Sequence, residues 1–427
     1  MNRRLDRLIA EVVRQGRLEV TWSDGSVSHY GEAEGLPARL RFLHASAERA
    51  LLRNPELALG EAYMDGSIDF PGDSLMDFLL LANANLEHIK RVPLVAALVK
   101  IRFACRRWIQ DNSMWRARRN IAHHYDLDER LYRLFLDADM QYSCAYFETP
   151  GADLDEAQWA KKRHIAAKLA LEPGQKVLDI GSGWGGLGLF LAENAEVNVT
   201  GVTLSAEQHR VSNRRARDAG REGQVRFELR DYRALDKSFD RIVSVGMFEH
   251  VGAAGHGEFF RTAARLLRPD GVMLLHAIGR FGPPATNTPF LDKYIFPGAY
   301  APALSEVLAA IEKAGLLVTD VEILRHHYAD TLAAWRQRFR ANWDEAARLY
   351  DERFCRMWDY YLASCEAAFR VGSMMVFQIQ IARNFAALPF TRDYMFAAEA
   401  ALEDSPGAAR HQTKTPKLVG RTKAAGG

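Results

Sequence analysis

From Lys176 to Gly188 the chain reads Lys-Val-Leu-Asp-Ile-Gly-Ser-Gly-Trp-Gly-Gly-Leu-Gly. A short apolar run, Val177 to Ile180, stops at a glycine cluster, and Leu187, Leu189, Phe190 and Leu191 then follow a helical pattern. The pattern predicts a buried strand, a tight turn and the start of a helix. Glycines suit a place where a ligand approaches the backbone and where a turn needs φ angles that a Cβ opposes. The helix N-terminus then points free N–H groups at that ligand.

Gly181-x-Gly183-x-x-Gly186 also satisfies the dinucleotide fingerprint, so the turn alone predicts a nucleotide-type cofactor without naming it. Two details lean towards S-adenosylmethionine. Asp179 sits inside the strand, where a carboxylate can meet a cationic amino-acid end. The next strand, 198–202, runs into Thr203-Leu204-Ser205 with no acidic residue, whereas a nicotinamide enzyme usually places Asp or Glu there for the ribose hydroxyls.

Around this turn the chain alternates strands and helices in a doubly wound α/β pattern. Strands are expected at 176–180, 198–202, 225–229, 240–245, 271–278, 318–324 and 374–381, a seven-stranded sheet. Helices are expected at 258–267, ending in Arg268-Pro269-Asp270-Gly271, and at 304–314. A helical insertion rich in Trp, Phe and Tyr occupies roughly 330–370. Residues 1–30 predict a helix and a hairpin turning at Asp24-Gly25, and 40–90 mix short strands and helices, together a smaller α+β domain. The tail from Ser405 is rich in Pro, Gly and Lys and is expected to be disordered.

The 427 residues are enough for two domains, and 48% hydrophobic with 26% charged residues is a soluble composition. The opening Met-Asn-Arg-Arg and the charged amphipathic pattern after it predict no signal segment, and no run of about 18 apolar residues spans a membrane. Cys105, Cys144, Cys355 and Cys365 lack metal-type spacing and suit a reducing cytoplasm. Between 90 and 120, Lys90, Arg91, Lys100, Arg102, Arg106, Arg107, Arg116, Arg118 and Arg119 interleave with apolar and tryptophan residues. Such a helix lies on anionic lipid headgroups or forms a solvated linker packed on the next domain. No recognition motif accompanies the charge, so nucleic acid is not indicated.

Candidate chemistry lies elsewhere. Gln141 to Phe147 offers the Cys144 thiol, the Ser143 hydroxyl and the phenols Tyr142 and Tyr146, although a lone cysteine among aromatics is usually packing. Glu249 follows the fourth strand at the sheet's carboxyl edge, and His276 lies in the fifth, so the two can converge. A histidine in a buried strand is also commonly just hydrogen-bonded in the core. Tyr328 follows the sixth strand, and Asp231-Tyr232 follow the third, suited to hold an adenine. Cys365 falls on the apolar helical face of Phe354, Trp358, Tyr361, Leu362 and Phe369, which reads as core. No HExxH, GxSxG or CxxC pattern occurs, which weighs against zinc hydrolase, serine hydrolase and thiol-redox chemistry.

Eight stretches together resemble the cyclopropane-fatty-acyl-phospholipid synthases, S-adenosylmethionine-dependent enzymes related to the mycolic acid cyclopropane synthases. They are Gly60–Gly66, His124–Leu127, Tyr142–Phe147, Val177–Gly186, Gly201–Gln208, Val245–Gly252, Leu274–Gly279 and Tyr294–Gly298, in family order across 40–395. The resemblance implies a Rossmann-like methyltransferase domain at 121–400 behind a lipid-side domain at 1–110, with the basic helix running to about 120. It implies that Tyr142 and Ser143 touch the methionine part of the cofactor and that Asp179, Gly181, Ser182, Gly183 and Gly185 hold its amino-acid end. Thr203, Leu204, Ser205 and Gln208 would take the ribose, and Asp231 and Tyr232 the adenine. Cys144, Glu249, His276, the Ile278 backbone and Tyr328 would hold bicarbonate, and Cys365 matches a late cysteine marked as active in the family.

Two departures stand out: Asp128-Glu129 where the family usually has Gly-Asn, near the expected acyl site, and Ser182 for a frequent cysteine. The expected reaction adds a methylene to the cis double bond of a phospholipid acyl chain. Bicarbonate would act as base, and aromatic faces such as Tyr146, Phe147 and those of the insertion would shelter the cation. The alternative is methylation or methylenation of the acyl chain without ring closure. The partners implied are an unsaturated membrane phospholipid and an anionic membrane contacted peripherally. A homodimer is left open, no metal is required, and the location implied is cytoplasmic, at the inner membrane surface.

Overall fold

The computed structural model describes residues 1–31, 38–109 and 127–403. The His124-Tyr125-Asp126 motif, the second half of the basic segment and the tail from Ser405 lie outside them. The helix Arg3–Val12 is capped by the Asn2 side chain, which accepts from the Arg4 and Leu5 N–H groups. Strands β1 (Leu18–Thr21) and β2 (Val27–Tyr30) form the hairpin expected at Asp24-Gly25. With β3 (Ala38–Phe42) and β4 (Ile68–Asp69) they make a four-stranded sheet of order β2-β1-β3-β4. Alternation in β3 buries Ala38, Leu40 and Phe42 while Arg39 and Arg41 face out, and Phe42 stacks on Trp22 at 5.4 Å.

The second sheet holds β5 (Lys176–Ile180), β6 (Asn198–Thr203), β7 (Val225–Leu229), β8 (Phe239–Val245), β9 (Leu267–Arg280), β10 (Leu317–Ile323) and β11 (Met374–Ala382). Its order is β10-β11-β9-β8-β5-β6-β7, with β11 antiparallel to both neighbours. All seven strands stand where the apolar runs predict them. The order reverses between β5 and β8, the switch point where the carboxyl ends of an open sheet leave a crevice. One boundary differs from expectation: β9 begins at Leu267 and runs through Arg268-Pro269-Asp270-Gly271. The pairing of β8 with β9 shifts register between Phe239 and Arg241, and this irregularity accommodates a proline that has no N–H to donate.

The insertion folds as helices Arg325–Ala341, Trp343–Leu349 and Glu352–Arg370. It shares a continuous apolar core with the N-terminal sheet, running from Leu5 and Trp22 through Tyr132 and Trp335 to Phe369 and Val376. A buried polar clamp crosses the same boundary. The fully buried Asp359 accepts hydrogen bonds from Tyr63 Oη (3.0 Å), Arg336 Nε (2.8 Å) and Arg340 Nε (2.8 Å). Gly60 lies against the rings of Phe290 and Tyr360, and a Cβ there would overlap Phe290. The helix spacing around Gly60 exists because glycine lets the two surfaces close. Among the described residues, no helix is long and apolar enough to cross a membrane.

Asp359→Asn leaves two guanidinium groups facing a neutral amide. It is expected to lower unfolding free energy by about 3 kcal/mol, measured by urea denaturation, with Asp359→Glu no substitute because the pocket is full.

Candidate active site

The cradle is built at the end of β5. Gly181, Gly183 and Gly185 have φ of 83°, 52° and 84°, the left-handed region that glycine enters without strain. The N–H groups of Gly181 and Ser182 both donate to the Val202 carbonyl (2.9 and 3.0 Å), which ties the turn to β6. A Cβ on Gly181 would come within 2.6 Å of Met247 Cβ, so the turn also packs on the loop after β8. Helix Gly186–Ala195 starts directly behind it.

Above the turn lies a cavity of about 260 Å³. Asp179, Gly181, Ser182, Gly183, Thr203, Leu204, Gln208, Asp231 and Tyr232 line it from the sheet, and Tyr142 and Ser143 from the side. Asp179 Oδ2 and Ser182 Oγ are buried there without a hydrogen-bond partner among the described residues. Burial pushes the Asp179 carboxyl up to about 7, against the pull of the Lys161 ammonium. A buried, unpartnered carboxylate beside a glycine cradle is suited to a ligand with a cationic amino group.

Two residues expected at the cofactor do not line this cavity. Ser205 is fully buried, and its hydroxyl accepts from the Gln208 N–H (3.2 Å) to cap helix Ala206–Asp218. Gly185 turns away towards Phe227 and Ser212, where a Cβ would lie 2.8 Å from each. Both shape the wall rather than face the cavity. Asp231 reaches the cavity with its carboxylate already engaged by the Arg233 N–H (2.9 Å) and guanidinium (2.8 Å).

The loop carrying Tyr142 is held by polar groups that a pattern search passes over. The buried Asp137 carboxylate accepts from the N–H groups of Asp139 (3.0 Å) and Gln141 (2.7 Å), which fixes Met140 at a φ of 57°. Lys161, 1% exposed, donates to Gln141 Oε1 (2.6 Å) and Ser143 Oγ (2.8 Å). Burial holds its ammonium down to about 8. Lys161 opens the run Lys161-Lys162-Arg163-His164, which reads as a solvated helix face, and only its company in space marks it.

A second, larger cavity of about 850 Å³ opens from the same place. Tyr142, Ser143, Gly246 and His250 line both. Cys144, Glu249, His276, Ile278, Tyr328 and Cys365, the six expected catalytic candidates, all line this larger cavity. Glu249 Oε1 accepts from the Ile278 N–H (2.7 Å), while Oε2 is buried with no partner among the described residues. Burial pushes this carboxyl up to about 7, partly countered by the Ile278 N–H. The Cys144 thiol donates to the Ala145 carbonyl and is pushed up by burial. Cys365 packs against the main core and borders the cavity, its thiol pushed up to about 12 by burial. Burial therefore favours the S–H form over the thiolate.

Three expectations are corrected. Tyr146 and Phe147 line neither cavity: Tyr146 stacks between His164 (4.2 Å) and His327 (4.8 Å), and the Phe147 N–H donates to His327 Nδ1. The aromatic wall is instead Tyr142, Tyr361, Phe296, Tyr328 and Phe369, with the Tyr142 and Tyr361 hydroxyls 2.8 Å apart. Helix Pro93–Ile109 is more than a solvated linker, since Val95, Val99, Lys100 and Phe103 line the large cavity and Arg102 pairs with Glu56 (2.7 Å). Asp128 and Glu129 do not border the apolar cavity. Glu129 pairs with Arg133 (2.5 Å) and Arg214 (3.0 Å), on the cofactor-side helix.

Residues 112–379 match the profile of the family described as mycolic acid cyclopropane synthetase. The chain belongs to that family. Residues 6–90 match a second profile, described only as a domain of unknown function. Among relatives of this family member, the cyclopropane-fatty-acyl-phospholipid synthase of Escherichia coli K12 is 39% identical over 82% of this chain and 88% of its own. A probable fatty acid methyltransferase of Pseudomonas putida is 41% identical over 65% of this chain and 73% of its own. The crystal structure of the mycolic acid cyclopropane synthase CmaA1 complexed with SAH and CTAB superposes with a TM-score of 0.59. That match is 36% identical and covers 62% of this chain and 97% of the other.

The raised Asp179 carboxyl sets a stability prediction. Its proton is bound more tightly in the folded chain than in the unfolded one, so the ligand-free protein loses stability as pH rises from about 4 to about 7. Asp179→Asn removes that loss. The variant is expected to be more stable than the parent at about pH 8, by on the order of 3 kcal/mol, with the gap closing towards about pH 4 in urea unfolding.

Proposed function

We propose that the chain is a cyclopropane-fatty-acyl-phospholipid synthase, transferring a methylene group from S-adenosylmethionine to the cis double bond of an unsaturated phospholipid acyl chain. The observation that carries this reading is the junction of the two cavities at Tyr142, Ser143, Gly246 and His250, polar cradle on one side and apolar space on the other. S-adenosylmethionine, when bound, supplies an electrophilic methyl on a sulfonium. Asp179 and Ser182 bind its amino-acid end, Thr203, Leu204 and Gln208 the ribose, and Tyr232 with the Asp231 turn the adenine. Tyr142 and Ser143 face the reacting end.

An alkene is a poor nucleophile, so alignment and exclusion of water must supply much of the acceleration. The walls of the large cavity, drawn from both sheets and the insertion, perform both tasks. Tyr142, Tyr361, Tyr328 and Phe369 present π faces to the cation that forms on the chain. Bicarbonate would be held by Cys144, Glu249, His276, the Ile278 backbone and Tyr328, beside the unpartnered Glu249 Oε2, and would supply a base there. Burial raises the Glu249 carboxyl to about 7, so near neutral pH it is partly protonated, and Oε2, unpartnered among the described residues, can give such an anion a hydrogen bond without transferring its proton. Cys144 and Cys365 remain thiols, which keeps the chain's own nucleophiles from capturing the cation.

Residues 1–110 form the lipid-side unit and 121–400 the catalytic one. The exposed Ile101 (62%) and Lys100, on a helix that also walls the cavity, support peripheral contact with an anionic membrane from which the acyl chain is drawn. The Pseudomonas relative keeps a second outcome in view, methylation of the acyl chain with the cation quenched without ring closure.

Incubation with unsaturated phospholipid vesicles and S-adenosylmethionine is expected to release S-adenosylhomocysteine and yield products 14 mass units heavier per acyl chain (one CH₂, about 14) that survive hydrogenation. Methylenated products would be reduced instead, and no release of S-adenosylhomocysteine would overturn both readings. Glu249→Ala is expected to cut turnover by about 100-fold or more while cofactor binding stays nearly unchanged. Cys365→Ser is expected to cost stability more than rate, and a folded but inactive variant would return it to the chemistry.

A further inference from the structure

Three strands carry one transverse row of polar side chains across an otherwise apolar part of the sheet. His276 on β9 is paired in register with Gln378 on β11, and Gln378 with Glu322 on β10. On β9 and β11 the row is flanked by the buried Leu275, Ala277, Phe377 and Ile379. Helix Leu154–Lys168 lays Lys168, 2% exposed, over the row. Its Nζ donates to Gln378 Oε1 (2.7 Å) and pairs with the Glu322 carboxylate. His164, one turn earlier, contacts the same Glu322 oxygen, Oε2, through its Nε2 (2.7 Å).

This arrangement fixes a tautomer. An ammonium only donates, so the Gln378 atom facing Lys168 must be its oxygen and the amide NH₂ must face the other way. Gln378 Nε2 lies 3.2 Å from His276 Nδ1, so Nδ1 must accept and the ring proton must sit on Nε2. His276 Nε2 makes no hydrogen bond among the described residues, and His276 lines the large cavity. Burial, with the nearby Lys161 and Lys168 charges, holds the ring neutral.

We propose that Lys168, acting through Gln378, is a positioning residue that keeps His276 as its Nε2–H tautomer, so that the imidazole offers the reaction site a donor and no lone pair. The proposal rests on the synthase reading for its purpose. An anion held as base needs donors around it, and an electrophilic methyl or a carbocation must not meet a free imidazole nitrogen.

The test is long-range ¹⁵N–¹H correlation on the full chain with ¹⁵N-labelled histidine, the His276 signals assigned by loss in His276→Gln. The expected parent spectrum has a protonated Nε2 and a bare, hydrogen-bonded Nδ1. Gln378→Glu puts an acceptor opposite Nδ1 and is expected to place a proton there. It is also expected to lower kcat about 10- to 100-fold with KM for S-adenosylmethionine unchanged. Lys168→Met is expected to release the amide and give mixed tautomers, with Lys168→Arg restoring the parent pattern. A parent ring protonated on Nδ1, or parent kcat in a Gln378→Glu variant whose ring has switched, would overturn the proposal. The parent spectrum decides even where a variant does not fold. Failure of the synthase reading would show separately, as a parent enzyme that forms no product from vesicles, since the tautomer is read without turnover.

Discussion

A charged sulfonium and a hydrocarbon double bond have to meet where water cannot follow, and that requirement organises the molecule. The open α/β sheet provides the polar half cheaply, because β5, β6 and β8 end at a switch point where backbone and carboxylate can serve a ligand. The sheet alone has no apolar half. The insertion between β10 and β11 and the N-terminal unit supply it, meeting over Gly60, Phe290 and Tyr360 to enclose the large cavity. The cost is borne by buried groups left unpartnered among the described residues: Asp179 Oδ2, Ser182 Oγ and Glu249 Oε2. Such groups destabilise the empty protein, and a ligand offsets the deficit when it binds.

The strands were legible because a parallel sheet buried on both faces needs strongly apolar runs, as in Met273–Leu275 and, around the single Asp179, Val177–Ile180. The glycine turn was legible because its φ angles admit little else. The boundary at Pro269 was misread, since a proline reads locally as a stop and only pairing with β8 reveals the irregularity that carries it. Tyr146 and Phe147 were misplaced for a related reason: neighbours in sequence to Cys144 need not share its direction, and His164 and His327 claim Tyr146 by stacking.

Polar residues in apolar settings were the least legible. Lys161, Lys168 and Asp359 each sit on helices whose pattern gives no hint of burial, and their partners come from residues far along the chain. A signal for Gln378 did exist. In Met374–Ala382, Gln378 and Gln380 interrupt a run that is otherwise apolar, and two amides at a spacing of two point to one face of a buried strand. Gln380 spends its amide on the Lys168 carbonyl and Tyr394. Gln378 alone reaches the catalytic wall.

The large cavity is cut into the same apolar mass that joins the N-terminal sheet to the insertion. Hydrocarbon lying in it therefore stands in for side chains the sequence never placed there. The acyl chain is a temporary piece of interior, and its methylenes contribute to holding the fold together on the same footing as Leu8, Leu59 or Phe296. A bound hydrocarbon chain is thereby linked to the protein's own persistence as well as to its rate.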